Sequence, residues 1–255
     1  MTAKAMCRRT DTRWFLMSAS LFIATACSGV AAERSYEPTT GSTPSSIAEP
    51  DPTTASSTDT VVLTIGIEVM GGGDYPSFSV EAPAMWSSPE GHFVVKSGSG
   101  VLGMSVWDVG EVPRHPCHWR GRLYDPGPTV DDLVKALARQ PLRNSTTPTD
   151  VTLGGYRGRY LEWSVPSDMI VTGDADFEAC DVEPSNGHRD FVSWLGDGYG
   201  ERYQQFAGQI DRLWVLDVDG QRLVVDATYA PGTSEADRDE LTQIVKSLRV
   251  ADPAG

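Results

Sequence analysis

The sequence has few of the residues on which metal binding and nucleophilic catalysis usually depend. It contains 4 cysteines and 4 histidines in 255 residues, and 35 acidic side chains outnumber 21 basic ones. The resulting net charge of −14 disfavours contact with nucleic-acid phosphates and with anionic lipid headgroups, because like charges repel. We therefore expect no nucleic-acid partner and no peripheral membrane binding through the folded part of the chain.

Catalytic motifs are also absent from the sequence. There is no Gly-x-Ser-x-Gly elbow, no phosphate-cradling glycine-rich loop and no His-Glu-x-x-His helix. A pair of carboxylates of the kind used by glycosidases stays possible, but acidic residues are so abundant that any pairing is arbitrary. The sequence therefore assigns no catalytic residue and no cofactor, and a non-enzymatic role is favoured.

The N-terminal segment carries a short uncharged run. Residues 14–26 contain no charge and follow the basic residues Lys4, Arg8, Arg9 and Arg13. A transmembrane helix needs ~20 apolar residues, so this run is too short to span a bilayer. A basic start, a short apolar run and an end in small residues are typical of a secretory signal peptide, which we predict over residues 1–26.

The signal segment ends in Ile23-Ala24-Thr25-Ala26-Cys27. This stretch resembles the lipobox of bacterial lipoproteins, in which lipid is attached to a cysteine that becomes the first mature residue. The resemblance implies lipidation at Cys27 and an anchor in membrane lipid on the outer face of the cytoplasmic membrane, within the cell envelope. Stable anchoring takes more than one acyl chain. Ordinary cleavage before Cys27 or at Val30-Ala31-Ala32 would instead release a secreted protein.

Residues 27–60 differ in composition from the rest of the chain. Between Glu33 and Thr60, 17 of the 28 residues are Ser, Thr or Pro, and large apolar side chains are almost missing. Such a segment buries too little apolar surface to offset the entropy lost on ordering. We predict a disordered stalk over residues 27–60 that carries one extracytoplasmic domain over residues 61–255.

The domain segment alternates strand and helix patterns. Apolar alternation predicts several strands, and Asp219-Gly220 is a strong signal for a two-residue hairpin turn. The i, i+3, i+4, i+7 spacing of apolar residues predicts two helices, one from a cap at Thr129 to Gln140 and one carrying Leu241 to Leu248. We predict an α+β domain whose largely antiparallel sheet is packed by two helices.

Both ends of the domain segment carry a recognisable pattern. The stretch Phe78-Ser79-Val80-Glu81-Ala82-Pro83-Ala84-Met85-Trp86 resembles the strand, proline and tryptophan that open domains of the PsbP/Mog1 group. The hairpin that runs through Thr228-Tyr229-Ala230-Pro231 into the last helix is similar to the end of those domains. The whole chain resembles actinobacterial lipoproteins of undefined function. The resemblance implies a last helix packed across an antiparallel sheet, and it supplies no catalytic residues.

Two cysteines remain once the signal segment and the anchor at Cys27 are set aside. They are Cys117 and Cys180, and an even count in an oxidising compartment predicts a disulfide between them. The alternative is a metal site, because His115 and His118 flank Cys117 and zinc uses such ligands. The spacing is unlike that of a zinc finger, so the disulfide is favoured.

Two other patterns leave alternatives open. Asp174, Asp176 and Glu178 alternate like the ligands of a calcium loop, but the glycine and the closing glutamate of that loop are missing, which favours a solvated acidic loop. The domain segment also has many tryptophans, which either pack in the core or form a ligand platform. They are Trp86, Trp107, Trp119, Trp163, Trp194 and Trp214.

Three functions are consistent with these observations. The favoured one is a non-catalytic envelope domain that binds an envelope protein or a small ligand. The second is an enzyme that acts on envelope glycans with Asp and Glu, and the third is a structural role in envelope assembly. An exposed apolar patch near the sheet would favour a protein partner, and a pocket with tryptophan and paired carboxylates would favour the enzyme.

Overall fold

The structure is a computed structural model that describes residues 59–67, 76–89, 91–99, 101–196 and 199–251. The predicted signal peptide, the lipidation site Cys27 and nearly all of the predicted stalk lie outside these residues. The described residues belong to one compact unit, Thr54–Gly255. Within these ranges no helix is both long enough and apolar enough to cross a bilayer.

The described residues form 16 strands and two helices. The strands are β1 (Thr60–Ile65), β2 (Phe78–Pro83), β3 (Trp86–Ser87), β4 (Phe93–Lys96), β5 (Leu102–Pro113), β6 (Leu123–Tyr124), β7 (Asn144–Ser145), β8 (Thr149–Leu153), β9 (Tyr156–Ser164), β10 (Val171–Thr172), β11 (Asp176–Phe177), β12 (Val192–Gly196), β13 (Tyr199–Tyr203), β14 (Ile210–Val218), β15 (Gln221–Tyr229) and β16 (Arg249–Val250). The helices are α1 (Val130–Ala138) and α2 (Glu235–Lys246).

Most strands join one antiparallel sheet of 11 strands, called the central sheet below. Its main path runs β13-β12-β5-β15-β14-β9-β7, and β3, β4, β6 and β8 attach beside it. The hairpin between β14 and β15 turns at Asp219 and Gly220, whose φ angles are 53° and 88°. These positive values are those that a tight hairpin turn requires, so the predicted turn is confirmed. Separately, β1, β2 and β16 form a three-stranded sheet, and β10 pairs with β11.

One face of the central sheet is covered by α2 and the three-stranded sheet. Because side chains alternate along a strand, Leu223 and Val225 of β15 point to this face. They join a buried cluster with Leu241 and Ile244 of α2. The predicted second helix is therefore confirmed, although it ends at Lys246 and Leu248 is buried just beyond it.

The other face is covered by α1. Val224, between the two residues that face α2, packs here in a second buried cluster with Leu213 and with Leu133 and Leu137 of the helix. The helix begins after the predicted cap Thr129, whose side chain accepts a hydrogen bond from the backbone N–H of Asp132. The predicted α+β arrangement, a largely antiparallel sheet packed by two helices, describes this structure.

Candidate functional site

A disulfide holds the least regular part of the described chain. Cys117 and Cys180, the pair predicted from the sequence, are bonded with their Cα atoms 4.2 Å apart. Both cysteines are buried in a third apolar cluster with Phe177 and Phe191. The bond ties residues 165–191, called the stapled segment below, to the chain that follows β5.

Backbone hydrogen bonds hold the stapled segment and the start of β12 to the chain around Cys117. The N–H of Asp181 donates to the carbonyl of Cys117 at 2.9 Å, and the N–H of Val192 donates to the carbonyl of Pro116 at 3.0 Å. Within the segment, β10 and β11 form a short ribbon whose turn includes Ala175 at φ 64°. The segment therefore keeps a defined shape with very little regular secondary structure.

An open groove runs between the stapled segment and the edge of the central sheet. Its volume is about 670 Å³, and we call it the apolar groove. Met169 and Val171 line it from the stapled segment, and Tyr203, Phe206 and Pro231 line it from the sheet side. Tyr203 is 47% exposed and Phe206 is 39% exposed, so two aromatic side chains of this groove face solvent.

The walls of the apolar groove rest on buried structure. Met169 and Val171 pack against the apolar cluster that contains the disulfide. On the opposite wall, Gly208 has φ 72°, and a Cβ atom there would lie 2.9 Å from the Pro231 ring. Only glycine permits this close approach at a positive φ, so the backbone next to Phe206 requires glycine at position 208.

A network of buried charges lies behind the sheet wall of the groove. Arg202, at the end of β13, is placed between two fully buried carboxylates on β14 and β15. Its Nε lies 2.6 Å from Asp226 Oδ2, and its Nη2 lies 3.2 Å from Asp211 Oδ1. Its Nη1 also donates to the carbonyl of Tyr203 at 2.5 Å, which connects the network to a groove residue.

The two carboxylates of this network differ in their surroundings. Burial raises the pKa of Asp226 to about 7, although Arg202 opposes the shift. Burial also acts to raise the pKa of Asp211, but Arg202 and Arg143 and hydrogen bonds from Gln209 and Thr228 lower it overall. Because both carboxylates are fully buried, we interpret the network as a support for the strands and not as a reaction centre.

A second, polar cleft lies on the α2 face of the same strands. It has a volume of about 360 Å³ and is lined by Tyr160, Glu162, Arg212, Tyr229 and other polar residues. The hydroxyl of Tyr160 donates to Glu162 at 3.3 Å. Burial raises the pKa of both tyrosines, so both hydroxyls stay protonated at neutral pH and can donate hydrogen bonds.

The histidines weighed as metal ligands lie close together. The rings of His115 and His118 stack with centroids 4.5 Å apart, and His118 Nδ1 lies 2.8 Å from Asp181 Oδ1. Cys117, the third member of the proposed set, has its sulfur in the disulfide and cannot act as a thiolate ligand. In the described part of the chain, no group of three or more His, Cys, Asp or Glu is placed to hold a metal ion.

The carboxylates of Asp174, Asp176 and Glu178 do not point to a common centre. Asp176 pairs with Arg189 at 3.1 Å, and Glu183 pairs with Arg120. Asp174 and Glu178 are exposed and form no ion pair among the described residues. Among the described residues, the acids of the calcium-loop pattern are therefore not brought together around one point.

The tryptophans pack in the core and do not form a platform. Five of the six weighed from the sequence are at most 8% exposed, and Trp163 and Trp194 are fully buried. Their ring centroids lie 6.0 Å apart, and Trp107 contacts Trp194 edge-on at 5.9 Å. The exposed aromatic side chains of the apolar groove are instead Tyr203 and Phe206.

No family model matches the chain. No curated protein matches it either. Among solved structures it is similar to LpqN of Mycobacterium tuberculosis, a protein described as involved in cell envelope biogenesis. The identity is 11% and the TM-score 0.36, over 75% of this chain and 92% of that one.

The chain is also similar to CyanoP, the PsbP of the cyanobacterium Synechocystis, at 12% identity and a TM-score of 0.31, over 68% of this chain and 86% of that one. Identities and TM-scores this low assign no activity to this chain.

Proposed function

We propose that this chain is a cell-envelope lipoprotein, anchored through Cys27, whose PsbP/Mog1-like domain is a non-catalytic module that binds another envelope protein at the apolar groove. The anchor and the stalk over residues 27–60 rest on the sequence patterns alone. The Cys117–Cys180 disulfide supports export, because such bonds persist in oxidising compartments and are rare in the cytosol.

The exposed aromatic side chains of the apolar groove carry this proposal. Tyr203 and Phe206 line the groove beside Met169, Val171 and Pro231. Met169 and Val171 pack from behind against the cluster that contains the disulfide. Tyrosine is among the residues that dominate binding energies at protein interfaces. A protein partner would bury these two exposed aromatic side chains.

Photo-crosslinking in intact cells tests the proposed interface. A photo-reactive phenylalanine analogue at position 206 should give a discrete crosslinked adduct of the full chain. Position 142 is a matched control, because Leu142 is also 39% exposed and does not line the groove. Adducts of equal yield from both positions, or none from position 206, would contradict binding at the groove.

Fractionation tests the proposed anchor separately. Cys27→Ser should move the protein from the membrane fraction to the medium, because the lipid-carrying residue is lost. A Cys7→Ser variant is the control, because Cys7 lies in the segment predicted to be removed. Retention of the Cys27→Ser protein in the membrane would show that another element tethers it.

The polar cleft favours a second candidate function, the binding of a small polar ligand. Arg212 supplies donors, Glu162 supplies acceptors, and the rings of Tyr160 and Trp214 lie with centroids 5.0 Å apart beside them. Such convergent polar groups beside aromatic rings are typical of small-molecule sites. Chemical-shift changes at Tyr160 on addition of envelope extracts, lost in Glu162→Gln, would support this function, and unchanged spectra would contradict it.

A further inference from the structure

We propose that the occupant of the apolar groove is a cationic, partly apolar polypeptide segment of the partner protein. This inference rests on the proposed function and adds the chemistry of the partner. It follows from the exposed acids around the groove, from the pairing of the nearby bases, and from the position of β13 at the edge of the central sheet.

Exposed carboxylates lie in the groove and near it. Asp174 lines it, and among its described lining residues none is basic. Glu178 is adjacent, because its N–H donates to the carbonyl of Ile170, next to Met169 in the groove. Glu201 is exposed two residues before Tyr203 on β13, and side chains two apart share a face of a strand.

The basic side chains near the groove already form ion pairs within the protein. Arg189 contacts Asp176, Arg120 contacts Glu183, and Arg202 lies between two buried carboxylates. In contrast, Asp174, Glu178 and Glu201 form no ion pair among the described residues. The rim of the groove is therefore net negative, which attracts a cationic partner and repels anionic lipid or an acidic peptide.

The position of β13 indicates a polypeptide and not a compact ligand. It is the first strand on the main path of the central sheet, with no strand on its outer side among the described residues. An extended segment can lie along such an edge and place alternate side chains into a neighbouring groove. Apolar side chains would then occupy the floor beside Phe206, and basic ones would face the acidic rim.

Peptide binding to the purified full chain tests this inference, with Cys27→Ser as the soluble form. The probe is a labelled synthetic peptide of alternating leucine and lysine, read by fluorescence anisotropy. Two comparison peptides replace lysine by glutamate or leucine by serine. The leucine–lysine peptide should bind at least about tenfold more tightly than either, because only it matches both the floor and the rim.

Charge variants separate the groove from the general acidity of the protein. Asp174→Asn/Glu178→Gln should weaken binding of the leucine–lysine peptide by ~3- to 10-fold in Kd, which is the range expected for the loss of two exposed ion pairs. Glu81→Gln/Glu111→Gln removes the same charge from exposed positions outside the groove and should change the Kd less than about twofold. Equal weakening by both double variants would overturn the inference.

The outcomes also separate this inference from the proposed function. If the leucine–glutamate and leucine–lysine peptides bind equally, and Phe206→Ser weakens both, the charge preference is wrong and groove binding stands. If Phe206→Ser weakens the binding of neither peptide and position 206 gives no adduct in cells, the inference and the proposed function both fail. If Phe206→Ser weakens the binding of the leucine–lysine peptide alone, the result supports the inference and the proposed function.

Discussion

The central sheet and the stapled segment are stabilised in different ways. In the sheet, β14 and β15 pair over nine residues each and bury apolar side chains on both faces. In the stapled segment, the regular structure is limited to two strands of two residues, and order depends on one disulfide, a small apolar cluster around it, a few backbone hydrogen bonds and ion pairs. The first region is held by long strand pairing and burial on two faces, and the second by a covalent bond, a small cluster and polar contacts.

This difference bears on function because the apolar groove lies between the two regions. Its sheet wall consists of Tyr203, at the end of the edge strand β13, and of loop residues such as Phe206 and Pro231. Its other wall belongs to the stapled segment. Local opening is easiest where apolar burial is least. We therefore expect the stapled segment to be the wall whose stability determines whether the groove keeps its shape.

The largest loss of stability is expected when the buried cation Arg202, behind the sheet wall of the groove, is removed. Arg202→Met removes the only cation that contacts both Asp211 and Asp226 among the described residues. Loss of one partner of a buried ion pair costs ~3–5 kcal/mol, because the other charge is left uncompensated. Urea unfolding should show a cooperative loss of this order over the whole domain, and a change under about 1 kcal/mol would contradict the support role.

The same network should make stability depend on pH. The pKa of Asp226 is raised from 3.8 to about 7 in the fold, so the folded state binds the proton more tightly than the unfolded state. The stability that this group contributes is present below about pH 4 and is lost as the pH rises through about 7. Asp226→Asn should flatten the fall in unfolding free energy between these values, and an unchanged slope would contradict the assignment.

Removal of the disulfide should affect the other region. Cys117→Ala/Cys180→Ala should cost ~2–4 kcal/mol, the typical value for a native disulfide. Hydrogen exchange should show the loss of protection in residues 165–191. The strands β14 and β15 should stay protected, because the disulfide does not hold them. Uniform loss of protection across both regions would show that the two are not independent.

The smallest effects are expected for two threonines, one at the cap of α1 and one on the surface of the stapled segment. Thr129→Ala removes the side-chain acceptor for the backbone N–H of Asp132 at the start of α1 and should cost ~1 kcal/mol. Thr172→Ala, an exposed change on β10 of the stapled segment, should fall within ~0.5 kcal/mol. Thermal unfolding of both variants checks the difference, and equal shifts would contradict it.

Local signals in the sequence predicted much of the central sheet and both helices. The Asp219-Gly220 turn, the Thr129 cap and the apolar spacing of Leu241 and Ile244 are patterns of neighbouring residues, and each leads to the element observed. The prediction of a Cys117–Cys180 bond relied on the even number of remaining cysteines and on the expected oxidising compartment. These inferences needed no knowledge of which strands pair.

The candidate site depended on contacts that no local pattern reveals. Arg202 meets Asp226 across 24 positions, and Trp163 donates to Asp211 across 48. The apolar groove forms only when Met169 and Phe206, far apart in sequence, are brought together by the disulfide cluster and the sheet edge. Tyr203 and Phe206 stand in a polar stretch without a regular apolar pattern, so periodicity gives neither of them a role.

Crosslinking from position 206 in two backgrounds tests the central claim most directly. The intact chain should give a discrete adduct in living cells, and the Cys117→Ala/Cys180→Ala chain, present at equal level and with its sheet still protected from hydrogen exchange, should lose it. This result would show that partner binding uses a groove that the stapled segment completes. An adduct that persists unchanged without the disulfide would contradict the account.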